Sequence, residues 1–465
     1  MKIFILNPFL FSGKLSRLSR KRQPLDLAYM ASLLRKEHKI KLLDANALSL
    51  SLEDTIEEIK LFLPEVLILT STPLDRWEVP SHAHLKLLIK NIIKTIDSVD
   101  IKYTILTGAH GTVMPEWILK KSSIDYVIRG EPEIIAVNLI NAMANNLPLE
   151  NISGISYVKE GKIINNKDAE RINDLDSLPF PAYDLLPMEK YRYTFPDIPS
   201  PFSLMLSSRG CPFNCTYCLK AMMDKLYIAR SPENVVAEME FLQNNFGIKG
   251  IYFQDWEFLI NKDRVRRICY LIKEKNINVS WGCNVRAGDL DDETVSKMKE
   301  SGCVRINIGF ESGSQKVLDM AEKKITVDQI KEAVNICRRY DINMGIYSIL
   351  NLPGEDRRTI AETEKFLAEN NLKTMCEPNL PIPYFGTKMY KMLVRQEGYE
   401  FDWENLEKFA GRVGVSQPPW LAKIYRWHYK FRYSAGAFYF LHPKFYGRLA
   451  RRFKDILLKW NIPLK

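Results

Sequence analysis

Three cysteines, Cys211, Cys215 and Cys218, stand at C-x3-C-x2-C spacing in the run Ser-Ser-Arg-Gly-Cys-Pro-Phe-Asn-Cys-Thr-Tyr-Cys. A loop of that length can wrap three thiolates around one face of an iron–sulfur cube. Such clusters normally take four cysteine thiolates, so a local set of three leaves one iron open, and an open metal position is where chemistry happens. A zinc site is the competing reading. Zinc wants four ligands, usually as two pairs, and no C-x2-C or H-x3-H partner exists elsewhere in the chain. Three closely spaced thiols cannot pair among themselves, which argues against disulfides.

The loop needs a scaffold, and the chain around it alternates strand and helix patterns. Candidate strands are Leu204–Ser207, Gly250–Gln254, Val279–Val285, Arg305–Phe310, Gly345–Leu350 and Cys376–Leu380. Helical runs lie between them, and Ser231-Pro232-Glu233 reads as a helix start with Ser as N-cap and Pro at the first helical position. Six β/α units predict an open, partial (β/α)6 barrel, whose working residues lie where strands end. The first strand ends at the cysteine loop. The next ones end at Gln254-Asp255-Trp256-Glu257, Asn284-Val285-Arg286, Gly309-Phe310-Glu311-Ser312-Gly313 and Asn351-Leu352-Pro353-Gly354-Glu355. The last is followed by Pro383-Tyr384-Phe385-Gly386-Thr387.

Residues 1–150 show a second alternation. Apolar runs at Lys2–Leu6, Ile40–Leu43, Val66–Thr70, Tyr103–Leu106 and Tyr126–Ile128 are separated by helical patterns such as Leu25–Leu34. This predicts a parallel sheet covered on both faces. Ligands of such sheets bind beyond the carboxyl ends of the strands, where Asp44, Ser71, Thr72, Gly108, Gly130 and Glu131 collect here. Residues 151–200 read as a connector. It opens with a hairpin, Gly154–Val158 and Gly161–Ile164, and continues through Leu178-Pro179-Phe180-Pro181 as an extended, semi-rigid segment.

The cysteine motif, with the aromatic Tyr217 before its third cysteine, resembles the signature of the radical S-adenosylmethionine (SAM) enzymes. The phrases Gly309–Gly313, Asn351–Glu355 and Pro383–Thr387 resemble G-x-E-S-G, G-L-P-G-E and P-Y-P-G-T of the class whose barrel follows a cobalamin-binding domain. Asn351 and Phe385 depart from that pattern. The resemblance implies that Cys211, Cys215 and Cys218 hold a 4Fe–4S cluster, that SAM chelates the open iron, and that one electron cleaves it to methionine and a 5′-deoxyadenosyl radical. It also implies SAM contacts. Asp255 is the acceptor for the ammonium, Arg286 pairs with the carboxylate, and Glu311 with Ser312 suits the ribose. Gly309 allows close backbone approach. The competing readings are an ordinary ion pair at the barrel mouth for Asp255 or Arg286, and a helix N-terminal acid for Glu311.

The front half is similar to the cobalamin-binding domain of that class through Pro24–Tyr29, Asp44, Ser71-Thr72, Gly108-Ala109-His110 and Gly130-Glu131-Pro132-Glu133. Asp44, Ser71, Thr72, Gly108, Gly130 and Glu131 are the expected cobalamin contacts, unless the domain is a degenerate scaffold. Many such domains carry D-x-H-x-x-G, whose histidine ligates cobalt. Here the stretch is Asp44-Ala45-Asn46-Ala47-Leu48-Ser49, with no histidine. The expected fold class is α/β: a Rossmann-like domain over 1–150, a linker over 151–200, a radical SAM barrel over 201–395 and a basic, aromatic helical region over 396–465.

Composition bounds the rest. A chain of 465 residues is too long for one ordinary core. No apolar stretch is long enough for a transmembrane helix, and the first apolar run is too short for a signal peptide. With eight cysteines and no export signal, a reducing cytoplasm is the expected setting. No cysteine precedes Cys211, which argues against the methylthiotransferase branch. The net charge of +10 sits in the tail, because residues 421–465 hold eleven Lys/Arg against the single acid Asp455, interleaved with twelve aromatics. That pattern fits a helical cap on the barrel, contact with an anionic membrane surface at the inner face, or, less well, nucleic acid. The expected partners are a reductant such as ferredoxin or flavodoxin and a small-molecule or lipid-like substrate. Methyl transfer to an unactivated carbon is the leading reaction. The alternatives are radical cyclisation, oxidation or carbon–carbon coupling and, outside enzymes, an iron–sulfur electron carrier or a cobalamin sensor.

Overall fold

A computed structural model describes residues 1–8, 21–72, 82–193, 197–372, 376–379 and 386–397. The phrase Pro383-Tyr384-Phe385 and the basic tail lie outside the described residues. Among those that are described, no helix is long and apolar enough to cross a membrane.

Seven strands form the first sheet: β1 (Lys2–Asn7), β2 (Lys39–Asp44), β3 (Val66–Thr70), β4 (Tyr103–Thr107), β5 (Tyr126–Ile128), β6 (Ile155–Lys159) and β7 (Lys162–Asn165). Their order is β2-β1-β3-β4-β5-β6-β7. The first five run parallel, as near-continuous apolar strands buried on both faces should. The strand order reverses at β1, so the crevice beyond β1 and β3 is the switch point where open α/β sheets take ligands. The hairpin expected in the connector is built into this sheet instead. β6 pairs antiparallel with β5, and β7 with β6.

A small antiparallel pair joins β9 (Ser208–Arg209) to β10 (Ile228–Ala229). The second large sheet holds β8 (Phe202–Met205), β11 (Gly250–Phe253), β12 (Ser280–Arg286), β13 (Cys303–Glu311), β14 (Asn343–Ile349) and β15 (Cys376–Asn379). Its order, β15-β14-β13-β12-β11-β8, follows the chain, every pair is parallel, and β8 does not meet β15. This is the open six-unit barrel that the alternation predicted. Several helices between its strands begin at side-chain caps. Ser231 accepts from Asn234 N–H, and Thr326 and Asp356 each form a reciprocal capping box.

The connector welds the sheets together. Its Leu175, Leu178, Tyr183 and Tyr191 are buried in a hydrophobic cluster that runs from Ile3 of β1 to Cys376 of β15. The Gln23 amide covers the open edge of β8, donating to Phe202 O (3.0 Å) and accepting from Leu204 N–H (3.2 Å). Tyr183 donates to Glu238 (2.6 Å), and Ile198 and Pro199 fill the space that side chains at Gly250 and Gly282 would need. The connector therefore closes the amino-terminal end of the second sheet and leaves its carboxyl end for the site.

Candidate active site

Gly210 turns the chain from β9 into the cysteine loop with φ +80°, and a Cβ there would collide with Leu226 O. Only glycine suits that position. Cys211 is buried, Cys215 and Cys218 are half-buried, and none of the three is in a disulfide. Cys218 N–H donates to Cys215 O (3.2 Å), and Lys220 Nζ donates to Cys211 O (2.8 Å). Thr216 N–H donates to Ala321 O (3.0 Å), docking the loop on the segment after β13. Three cysteines on one braced loop at a parallel sheet's carboxyl end suit a multinuclear cluster, each thiolate serving its own iron.

Beside the loop stands a charged group. Glu311 ends β13 at φ +60°, where the β13–β14 register shifts. Its carboxylate accepts from Lys323 Nζ at 2.7 Å, and both side chains are 8% exposed. Burial opposes the charge on Lys323, but Glu311 outweighs it and holds the ammonium above its ordinary pKa. Lys323 Nζ also reaches the Tyr217 hydroxyl (3.4 Å). Gly309 makes room for the pair, since a Cβ there would sit 2.8 Å from Lys323 Nζ and 3.0 Å from Glu311 Oε1. The Arg286 guanidinium stacks on the Phe213 ring inside the cysteine loop (3.5 Å to the centroid) and donates through Nη2 to Lys323 O and Lys324 O. Its buried Nε–H has no partner. An orphaned donor of this kind is costly and marks where an anionic ligand group would be received.

Two expected SAM contacts have other duties. Asp255 is fully buried. Its Oδ1 accepts from Ser207 N–H (2.8 Å), and its Oδ2 accepts from the Ser208 hydroxyl (2.6 Å) and the Ser207 hydroxyl. These bonds brace the entry to the cysteine loop. Ser312 is likewise turned to Thr363 (3.0 Å) and to Ser314 N–H (3.2 Å), shaping the turn after β13. Lys323 was missed in the sequence because nothing in Glu322-Lys323-Lys324 separates a buried lysine from a solvated one.

At the carboxyl edge of the front sheet the chemistry is neutral. The hydroxyls of Thr70, Ser71 and Thr107, and the Oδ1 of Asn46, are buried without partners. Gly108 enters the next helix at φ +105°, and a Cβ there would lie 2.7 Å from Ser71 Oγ and 2.8 Å from Thr72 N. Thr72 Oγ1 accepts from Ala109 N–H (2.9 Å). Gly130, at φ +91°, has open space where its Cβ would be and donates through N–H to Thr112 Oγ1 (3.0 Å). The unpaired hydroxyls beside a glycine cradle fit a large neutral ligand rich in amides, as cobalamin is. Two further expected contacts at this edge are engaged within the protein. Asp44 caps the helix Ala45–Leu48 through Ala47 N–H (2.9 Å) and accepts from Tyr191 OH (2.7 Å), and burial pushes its pKa up to about 6. The Glu131 carboxylate is turned away, towards Arg209 and Arg171.

Residues 205–367 match the model of the Radical SAM superfamily. An uncharacterized methyltransferase of Pyrococcus horikoshii is 31% identical over 396 residues, covering 85% of this chain and 83% of that protein. An anaerobic magnesium-protoporphyrin IX monomethyl ester cyclase of Rubrivivax gelatinosus is 30% identical over 277 residues, which is 58% of this chain and 49% of that one. Among solved structures, the radical SAM methyltransferase TsrM of Kitasatospora setae, with cobalamin and a [4Fe-4S] cluster bound, shares the fold at a TM-score of 0.66 and 17% identity, over 84% of this chain and 75% of that one. The braced cysteine loop, the two parallel sheets and these likenesses agree: the chain is an enzyme of the radical SAM superfamily, in the family that carries a cobalamin-binding domain in front of the radical SAM sheet.

Proposed function

We propose that this enzyme is a cobalamin-dependent methyltransferase acting on an unactivated carbon. The observation that carries the reading is the set of buried, unpartnered hydroxyls of Thr70, Ser71 and Thr107 around the Gly108 cradle, in the same molecule as the cysteine loop. When bound, the cluster supplies the electron that cleaves SAM reductively and cobalamin supplies the methyl group.

The chain's own residues bind and orient. Cys211, Cys215 and Cys218 would hold the cluster. Arg286, fixed by the carbonyls of Lys323 and Lys324, offers its free Nε–H to the SAM carboxylate. Glu311, paired with Lys323, would accept from the ribose hydroxyls. Thr70, Ser71 and Thr107 would donate to the amide rim of the corrin, and Asn46 offers no imidazole to cobalt. A ferredoxin- or flavodoxin-like donor would supply the electron. A lipid-like substrate, with the tail at a membrane surface, belongs to the same proposal and is supported by the basic, aromatic composition of residues 421–465.

The test is the cobalamin content of protein purified anaerobically from cobalamin-fed cells, with its cluster reconstituted. Near-stoichiometric cobalamin, and S-adenosylhomocysteine formed on turnover, are expected. An intact cluster with no cobalamin would sink the reading. It would leave radical cyclisation, which the cyclase relative supports and which forms no S-adenosylhomocysteine.

A further inference from the structure

One carboxylate of the front sheet holds both ends of the cysteine loop. Glu131 follows Gly130 at the carboxyl end of β5. Its Oε1 accepts from Arg209 Nη1 (2.9 Å), and Arg209 stands two residues before Cys211. Its Oε2 accepts from Arg171 Nε (2.6 Å) and from Ile172 N–H (3.0 Å). Arg171 then donates through Nη1 to Asp224 Oδ1 (2.8 Å), Leu226 O (3.3 Å) and Met223 O, on the stretch that leaves the loop after Cys218. Asp224 O in turn accepts from Cys211 N–H (3.5 Å). Glu133, in the first turn of the following helix, takes the other Arg209 nitrogen at 2.6 Å. The side chains of Glu131, Glu133 and Arg209 are 2%, 0% and 2% exposed, so neither water nor salt competes with them.

We propose that Glu131 is a positioning residue for the cluster: it sets where the cysteine loop stands relative to the second sheet, and so the open iron's readiness for SAM. Glu131 shares its turn with Gly130, so a ligand at the front sheet's edge is coupled to SAM binding, and that coupling is reciprocal. This last part rests on the cobalamin reading above.

The experiment compares wild type with Glu131→Gln and Arg209→Lys, each with its cluster reconstituted. SAM affinity and the electron paramagnetic resonance spectrum of the reduced cluster are measured without, then with, hydroxocobalamin. Positioning predicts that Glu131→Gln keeps its iron content, weakens SAM binding about tenfold and alters the SAM-induced spectrum, and that Arg209→Lys, which keeps the charge but not the two-pronged bonding, shifts both in the same direction by less. SAM affinity within twofold of wild type and an unchanged spectrum would overturn the proposal. If wild type holds no hydroxocobalamin, the cobalamin reading falls, while the cobalamin-free comparison still decides the role of Glu131. Should Glu131→Gln not fold, Asp224→Asn replaces it at a carboxylate 60% exposed. A threefold weakening is then expected, and no change would overturn the proposal.

Discussion

The two parallel sheets of this enzyme present opposite chemistries at the same topological place. Beyond the front sheet's strands the unmet groups are neutral hydroxyls, Thr70, Ser71 and Thr107, around a glycine. Beyond the second sheet's strands the groups are charged and paired. Glu311 is held by Lys323, and Arg286 stacks on the cysteine loop. Parallel sheets concentrate ligand sites at strand ends whatever the ligand. The residue types there decide which ligand: hydroxyls suit a large amide-bearing molecule, and fixed charges beside thiolates suit a zwitterion and a metal cluster.

The largest expected effect is on the second edge. Replacing Cys211, Cys215 or Cys218 by Ala should abolish cluster assembly and SAM cleavage, read by iron content and deoxyadenosine formation. Full SAM cleavage by any of the three variants would break the assignment. Cobalamin binding at the front edge should survive these changes, which separates the two sites.

Next in size is Lys323→Met, which leaves Glu311 buried without its cation. Breaking a buried pair from one side costs about 3–5 kcal/mol, so the thermal midpoint should drop steeply, and Lys323→Arg should recover part of it. A midpoint equal to wild type would mean that the pair is solvated.

Thr107→Val probes the front edge in the opposite sense. The Thr107 hydroxyl is buried and unpartnered, and removing an unmet donor relieves a cost of about 1–3 kcal/mol. The ligand-free variant should be as stable as wild type or more so, yet bind cobalamin more weakly. A loss of stability with unchanged cobalamin affinity would show that the hydroxyl serves the fold.

The last contrast is in pH dependence. Burial, reinforced by Asp289, raises Glu257 from 4.5 to about 8, and burial raises Asp44 from 3.8 to about 6. In each window the folded state holds a proton that the unfolded state has released, so stability falls as pH rises. Glu257→Gln should flatten the thermal midpoint between pH 4.5 and about 8. Asp44→Asn should flatten it only between pH 3.8 and about 6. Interchanged windows would break the contrast between the edges.

Much of this architecture was legible beforehand. The run Val66–Thr70 and the helix Leu25–Leu34 have the bounds that apolar patterning gave them, because both are buried segments whose composition permits little else. The six strands of the second sheet also lie where alternation put them, within a few residues. The hairpin 155–165 was placed in the connector because a two-strand pattern does not name its third partner, and only β5 supplied one.

The site divided along the same line. Spacing alone determined the cysteine loop, since three thiols within eight residues are close in any fold. Strand ends determined which residues stand at the two edges, because a parallel sheet puts all its carboxyl ends on one side. Only the tertiary structure decided what each polar residue does there. Asp255, Ser312, Asp44 and Glu131 found partners distant in the chain, whereas Arg286, Ser71 and Thr107 kept a donor unmet. Whether a buried polar group is satisfied depends on contacts between segments up to 181 residues apart, as for Leu204 and Gln23, and local sequence carries no record of those contacts.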